Sequence, residues 1–330
     1  MSSRRAFLAG LCGGLLALPG AAVAQQKERT WRLGFLSSRR RPESIESEFH
    51  GQMVHTLHDL GYVDGKSLVI DWRYAGGDYS LLPGLAAELV RLPVDVIVTD
   101  GTPGIRAAQA ATKAIPIVFA GGSDLVANGI VRSLSHPGGN TTGATLMFDD
   151  TTGKQLELLT RLVPTLRRAA VLFNPDNPAS VRQLRDYRAA ATLLKVEIAS
   201  VGSRNAEEIA NAFPPLAGSR CGALLWTVDT YFFQQRVQLA ELSARHRLPS
   251  ACGYPEYAEA GGLMGYGPDR RDIYRRVAVY VDKILKGANP GDLPVEQPTR
   301  IDLVINRTTA KAFGLTIPAE LLLLAEKIVG

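Results

Sequence analysis

Val94-Asp95-Val96-Ile97-Val98-Thr99, followed by Asp100-Gly101-Thr102-Pro103, is the stretch on which the fold turns. Its first half is a short run of mostly β-branched apolar residues, the composition of a buried strand. Its second half changes character at once. Thr102 is a good helix N-cap and Pro103 suits the first helical position, and apolar residues at helical spacing continue over 105–112. A strand, a Gly-containing turn and a helix make one βα unit. Its helix would aim free N–H groups and the positive dipole end past the strand, a setting suited to a carboxylate. Every βα loop also needs a cap for purely structural reasons, so the signal gains weight from the similar turn at Gly121-Gly122-Ser123-Asp124.

Outward from this unit the pattern repeats. Apolar runs at 31–37, 67–73, 94–99, 115–120 and 142–147 read as strands, with helical spacing over 43–60, 81–92 and 105–112 between them. The rhythm restarts with strands at 169–173, 195–201, 222–227, 249–253 and 262–266 and helices at 152–162, 180–193, 206–213 and 231–245. Strands alternating with helices imply right-handed crossovers and parallel sheets covered on both faces. The expected fold is therefore α/β, with two Rossmann-like lobes joined by a multi-crossover hinge. A helix at 269–286, a Pro-rich return with Pro290, Pro294 and Pro298, a strand at 300–305 and a last helix around 319–329 complete the chain. The expected lobes are 30–146 plus about 268–288, and 147–267 plus about 297–330.

The remaining bulk properties fit this reading. The chain has 330 residues, 46% hydrophobic and 21% charged, which excludes disorder, collagen-like repeats and disulfide-dense mini-folds. Residues 1–24 read as a cleaved signal peptide: Arg4-Arg5, an apolar run from Ala6 to Leu18, and Ala22-Val23-Ala24 before the cleavage point. The string from Ser3 to Leu8 has the look of a twin-arginine signal. Its removal takes away two arginines and lowers the net charge from +5 to +3, too slight a balance for nucleic acid. Only Cys221 and Cys252 then survive, with no disulfide framework implied. The expected product is a freely soluble, exported protein.

In open parallel sheets ligands bind beyond the carboxyl ends of the strands. The residues there are Ser37 and Ser38; Thr102 and Pro103; Gly121, Ser123 and Asp124; Asn174; Thr227 and Asp229; and Tyr254 and Glu256. Together they form a polar set facing a cleft. No G-x-S-x-G elbow, Walker loop, H-E-x-x-H or C-x-x-C occurs, so no enzyme, cofactor or metal is expected. His55, His58 and Asp59 have metal-like spacing, but on an amphipathic helix they are read as an accident of surface and core.

Several longer strings carry a resemblance. They are His136-Pro137-Gly138-Gly139-Asn140 with Thr142-Gly143, and Ala258-Glu259-Ala260-Gly261-Gly262-Leu263-Met264 with Tyr266-Gly267-Pro268-Asp269. Further on come Tyr280-Val281-Asp282-Lys283-Ile284-Leu285-Lys286-Gly287 and Leu293-Pro294-Val295-Glu296-Gln297-Pro298. With Val94–Pro103 and Ile115–Ala120 they resemble the ABC transporter substrate-binding proteins of the tryptophan/tyrosine-type group, over nearly the whole mature chain. The resemblance implies a type I periplasmic binding fold that closes on a small solute and docks on a permease driven by a separate ATPase. If the solute is an amino acid, Thr102 would take its carboxylate and Asp229 or Glu256 its ammonium. The chain departs from the pattern at Asp124-Leu125, where many relatives have Asp-Pro, and at Arg39-Arg40-Arg41-Pro42, where small residues are expected. The triple Arg reads as a solvated loop, with recognition of an acidic solute as its alternative. A ligand sensor for a signalling partner is the rival function; the chain ending soon after its last helix, with no attached signalling module, favours transport.

Overall fold

The computed structural model describes residues 29–46 and 49–330; the expected signal peptide lies outside the described residues. Five strands form the first sheet: β1 (Trp31–Ser37), β2 (Leu68–Tyr74), β3 (Val96–Asp100), β4 (Ile117–Ala120) and β5 (Thr141–Ala144). They are all parallel, in the order β2-β1-β3-β4-β5. The second sheet holds β6 (Arg168–Phe173), β7 (Glu197–Gly202), β8 (Ala223–Trp226), β9 (Ser250–Cys252), β10 (Met264–Gly267), β11 (Asp302–Asn306) and β12 (Lys327–Val329). Its order is β12-β11-β10-β9-β8-β6-β7. Strands β7-β6-β8-β9-β10 repeat the arrangement of the first sheet, so each lobe has a switch point, between β1 and β3 and between β6 and β8, where ligands bind in doubly wound sheets.

β3 is buried at all five positions, and helices pack on both faces of its sheet. Leu36, Leu82, Leu89 and Ile97 fill the core on one side, Phe35, Met53, Val98 and Val277 on the other. Helix Arg270–Leu285 packs on helix Phe49–Asp59 and on β3, β4 and β5, although it follows the last parallel strand of the other sheet. The return segment then runs along β5, where Glu296 N donates to Gly143 O (3.0 Å) and Thr145 N to Glu296 O (2.9 Å). From there it enters the second sheet as β11, which is antiparallel to β10 with Asp302 opposite Gly267. The direction follows from the path: a chain coming back from the other lobe enters where β10 leaves and must run the opposite way.

Several elements differ from the sequence reading: the helix expected over 43–60 covers Phe49–Asp59, and the strand expected over 142–147 covers Thr141–Ala144. The helix expected over 105–112 begins at Gly101. The one expected over 206–213 continues to Gly218 through Pro214 and Pro215, because Ile209, Ala212, Phe213 and Leu216 bury one continuous face that outweighs the missing N–H groups. The helix expected over 231–245 is divided at Gln235 into Thr230–Gln234 and Arg236–Arg245. The last helix stops at Leu324, and the chain ends as β12, parallel to β11. Among the described residues no helix is long and apolar enough to cross a membrane.

Candidate functional site

The carboxyl ends of both sets of parallel strands meet. Between them lies a small cavity of about 30 Å³. The first lobe supplies Gly101, Thr102, Gly121, Gly122 and Ser123, and the second Asn177, Asp229, Thr230 and Tyr254, with apolar cover from Ala120, Leu146, Ala179 and Val228. Arg270, at the head of its helix, completes the lining.

Asp229 is the junction of the two lobes. As N-cap of helix Thr230–Gln234, its Oδ1 accepts from Tyr231 N (2.9 Å) and Phe232 N (3.0 Å). Its Oδ2 accepts from Asn177 Nδ2 (2.9 Å) and, across the lobes, from the Tyr79 hydroxyl (2.7 Å). Burial pushes its carboxyl above the ordinary range, against the lowering effect of these donors. Two further bridges join the lobes. Arg40 and Gln234 exchange hydrogen bonds through the Arg40 backbone (2.8 and 3.1 Å), and Asp124 ion-pairs with Arg182.

Behind the cavity Asp100 is held by Ser37 Oγ (2.9 and 3.0 Å) and the Tyr274 hydroxyl (3.3 Å), with His50 Nε2 at 3.7 Å. Burial raises its carboxyl, but His50, Arg39 and Ser37 more than offset this and hold it below the usual range. Engaged in this way, Asp100 does not cap its own helix, although it occupies the N-cap position.

That arrangement corrects the reading of Thr102. The turn is made at Gly101, with φ +67°, so Thr102 and Pro103 lie inside the first turn. The Thr102 hydroxyl accepts from Ser123 N at 3.2 Å. The cavity thus brings together Thr102, Gly121, Ser123, Asp229 and Tyr254 of the residues expected from sequence. Ser37 sits behind it on Asp100, and Ser38 is buried beside it, its carbonyl accepting from Gly77 N (2.8 Å). Pro103 packs within the helix and Asp124 bridges outside the cavity. Asn174 lies at a side opening with Tyr79 and Arg204, and the Thr227 hydroxyl is bonded to Ser180. Glu256 faces an outer groove between helix Phe49–Asp59 and the second lobe, where its carboxyl is raised by burial and lowered in turn by Arg270.

The three consecutive arginines do not behave as one loop. Arg39 is 1% exposed and lies 5.8 Å from the Phe233 ring centroid, whereas Arg40 and Arg41 are exposed. Cys221 and Cys252 are both buried and free. Among the described residues no group of three His, Cys, Asp or Glu is placed to hold a metal ion.

Sequence reading missed Arg270, Asn177, Thr230, Tyr79 and Phe233. Arg270 had a usable signal, since the rule that picks loops after parallel strands reaches Gly267-Pro268-Asp269-Arg270 after β10. Tyr79 lies in the segment that follows β2, which the strand-end set left out, and Phe233 had no signal because it lies inside a short helix.

Two α/β lobes closed over a polar cavity, with three chain crossings between them, define a clamshell binding protein. The model of the family described as ABC transporter substrate binding protein matches residues 43–329, and the chain belongs to that family. Its members bind solutes; they are not enzymes. The chain is 27% identical over 264 residues to a tyrosine-binding protein of Clostridioides difficile, covering 79% of this chain and 75% of the relative. A conserved domain protein from Vibrio cholerae superposes with a TM-score of 0.84 at 26% identity, over 91% of this chain and 100% of that one. An ABC domain from Streptococcus pneumoniae in complex with L-Trp gives 0.82 at 24% identity, over 91% of this chain and 100% of that one. The ligand-free, open structure of a substrate-binding protein from Clostridium difficile gives 0.62 at 23% identity, over 91% of this chain and 99% of that one.

Proposed function

We propose that the protein is the periplasmic receptor of an ABC importer. It closes its two lobes on a small solute, an amino acid or related carboxylate, and hands it, as a monomer, to a permease driven by a separate ATPase. The observation that carries this reading is the convergence of Thr102, Ser123, Asp229 and Tyr254, from opposite lobes, on one cavity bridged by the Tyr79–Asp229 hydrogen bond. A ligand that touches both lobes favours the closed form by its differential affinity, which is the physical requirement for closure. The relatives that bind tyrosine or L-Trp, and the higher TM-score to the L-Trp complex than to the open structure, support the same reading.

The test is a panel of amino acids, aromatic acids, dicarboxylates and neutral polyols, followed by thermal unfolding and solution scattering. A true ligand at 100 times its Kd adds about 2.7 kcal/mol to stability and reduces the radius of gyration. A panel that leaves both unchanged refutes the reading. Export is tested by replacing Arg4 and Arg5 together with Lys and fractionating cells; mature protein is expected to disappear from the periplasm, and its persistence there excludes the twin-arginine route. Delivery is tested by solute uptake in cells lacking the cognate permease.

A further inference from the structure

Arg270 is 4% exposed and opens the helix that returns to the first lobe. Its guanidinium carbon lies 4.7 Å from the Phe49 ring centroid, 4.4 Å from Phe233 and 5.2 Å from Tyr254. Phe49 belongs to the first lobe, Phe233 and Tyr254 to the second, and the rings contact one another: Phe49 to Phe233 at 5.2 Å and Phe233 to Tyr254 at 4.9 Å. The cage around the cation is therefore assembled when the lobes meet. Rings attract the cation electrostatically but accept no conventional hydrogen bond from its N–H donors.

Two of its donor atoms are unsatisfied, while the Tyr274 hydroxyl engages the guanidinium elsewhere. Nε and Nη1 of Arg270 are buried and have no hydrogen-bond partner among the described residues, while the side chain lines the cavity. A buried polar group without a partner costs about 1–3 kcal/mol, and a charged one more, so such groups are rare in native proteins. The neighbouring carboxylates are not positioned to relieve it. Asp229 is occupied by four donors and Asp100 by Ser37 and Tyr274. Glu256 influences Arg270 by charge rather than by a hydrogen bond. Thr102, the carboxylate receiver expected from sequence, already accepts from Ser123 N.

Resting on the solute-receptor reading above, we infer that Arg270 is the receiver of the solute's carboxylate, offering its unpartnered Nε and Nη1 donors to the cavity while Phe49, Phe233 and Tyr254 surround its cation. The solute must then carry an anionic, planar acceptor group. Arg is suited to this by its rigid fork of donors, which Lys lacks. Because the cage draws on both lobes, capture of the anion and closure are one event.

The experiment measures Kd by calorimetry for the wild-type protein, Arg270→Gln and Arg270→Lys. The probes are L-tyrosine, L-tryptophan and L-leucine, the amide of each, and myo-inositol as a neutral polyol. Expected for the wild type is binding of an acid at least ten- to a hundredfold tighter than its amide, the range of a charge-assisted hydrogen bond. In Arg270→Gln the acid weakens by a similar factor and the acid–amide difference collapses, with Arg270→Lys in between. That coupling separates a carboxylate receiver from a residue that only fills space, which would weaken acid and amide alike. The acid–amide comparison on the unmodified protein stands even if a variant does not fold. Equal binding of acid and amide, or an acid–amide difference that survives in Arg270→Gln, overturns the inference. Binding of the polyol in preference to every acid overturns it while leaving the receptor reading intact. Binding of no probe at all counts against that reading, and the inference falls with it.

Discussion

Asp229 accepts four hydrogen bonds, and the one from Tyr79 comes from the other lobe. Tyr79→Phe removes that donor without disturbing the helix cap, so it acts on closure. A net hydrogen bond of about 0.5–1.5 kcal/mol predicts roughly a two- to tenfold rise in ligand Kd, read by calorimetry, with little change in the unliganded melting temperature. Asp100 shows the opposite balance: its folded carboxyl is held below the ordinary range, whereas those of Asp229 and Glu256 are raised. For Asp100 the unfolded chain takes up its proton near pH 4 while the folded chain resists. Its contribution is therefore full above that pH and is lost as pH falls through the lower folded value. Asp100→Asn is predicted to lower stability at neutral pH and to flatten this acid limb, measured as urea midpoints over a pH series.

The βα unit that opens the argument folds as a strand and a helix, but its turn is sharper than its residues suggest. Gly101 adopts φ +67°, and a Cβ there would lie 2.6 Å from Thr230 Oγ1 on the other lobe. Gly101→Ala is therefore predicted to obstruct closure and to weaken ligand binding by more than tenfold, while unliganded stability falls by only about 1 kcal/mol from the left-handed strain. Calorimetry and thermal unfolding of the same variant separate the two. Helix Ala206–Gly218 teaches a related lesson. Its two prolines signal an end that the buried face around Phe213 overrides. β12 is likewise a few residues whose strand character exists only because β11 lies alongside.

Across the molecule, three chain crossings and an aromatic contact of Phe49 with Phe233 join lobes that each contain a doubly wound sheet. Cys221 and Cys252 are buried and unpaired, so reductant is predicted to leave the melting temperature of the purified mature protein unchanged; a drop of several degrees would reveal a disulfide. The α/β class, the parallel strands and most helices were legible because apolar periodicity repeats within a few residues. Five of the twelve expected site residues line the cavity, because the rule about strand ends points to the ends of the two sheets that face it. It cannot tell Thr227, turned to Ser180, from Thr102, turned to the cavity edge. Nor does it separate buried Arg39 from its exposed neighbours Arg40 and Arg41.

Local pattern alone established the two α/β series and the cleft between their strand ends, since strand and helix periodicity and turn residues act over neighbours close in the chain. Tertiary packing decided everything that needs partners far apart: which way β11 runs, which hydroxyls are already taken, and the cage of Phe49, Phe233, Tyr254 and Arg270. Those four side chains are drawn from segments reaching from Phe49 to Arg270, and what makes Arg270 notable is the burial of a charge whose Nε and Nη1 donors stay unmet, a property that exists only once the chain has closed around it.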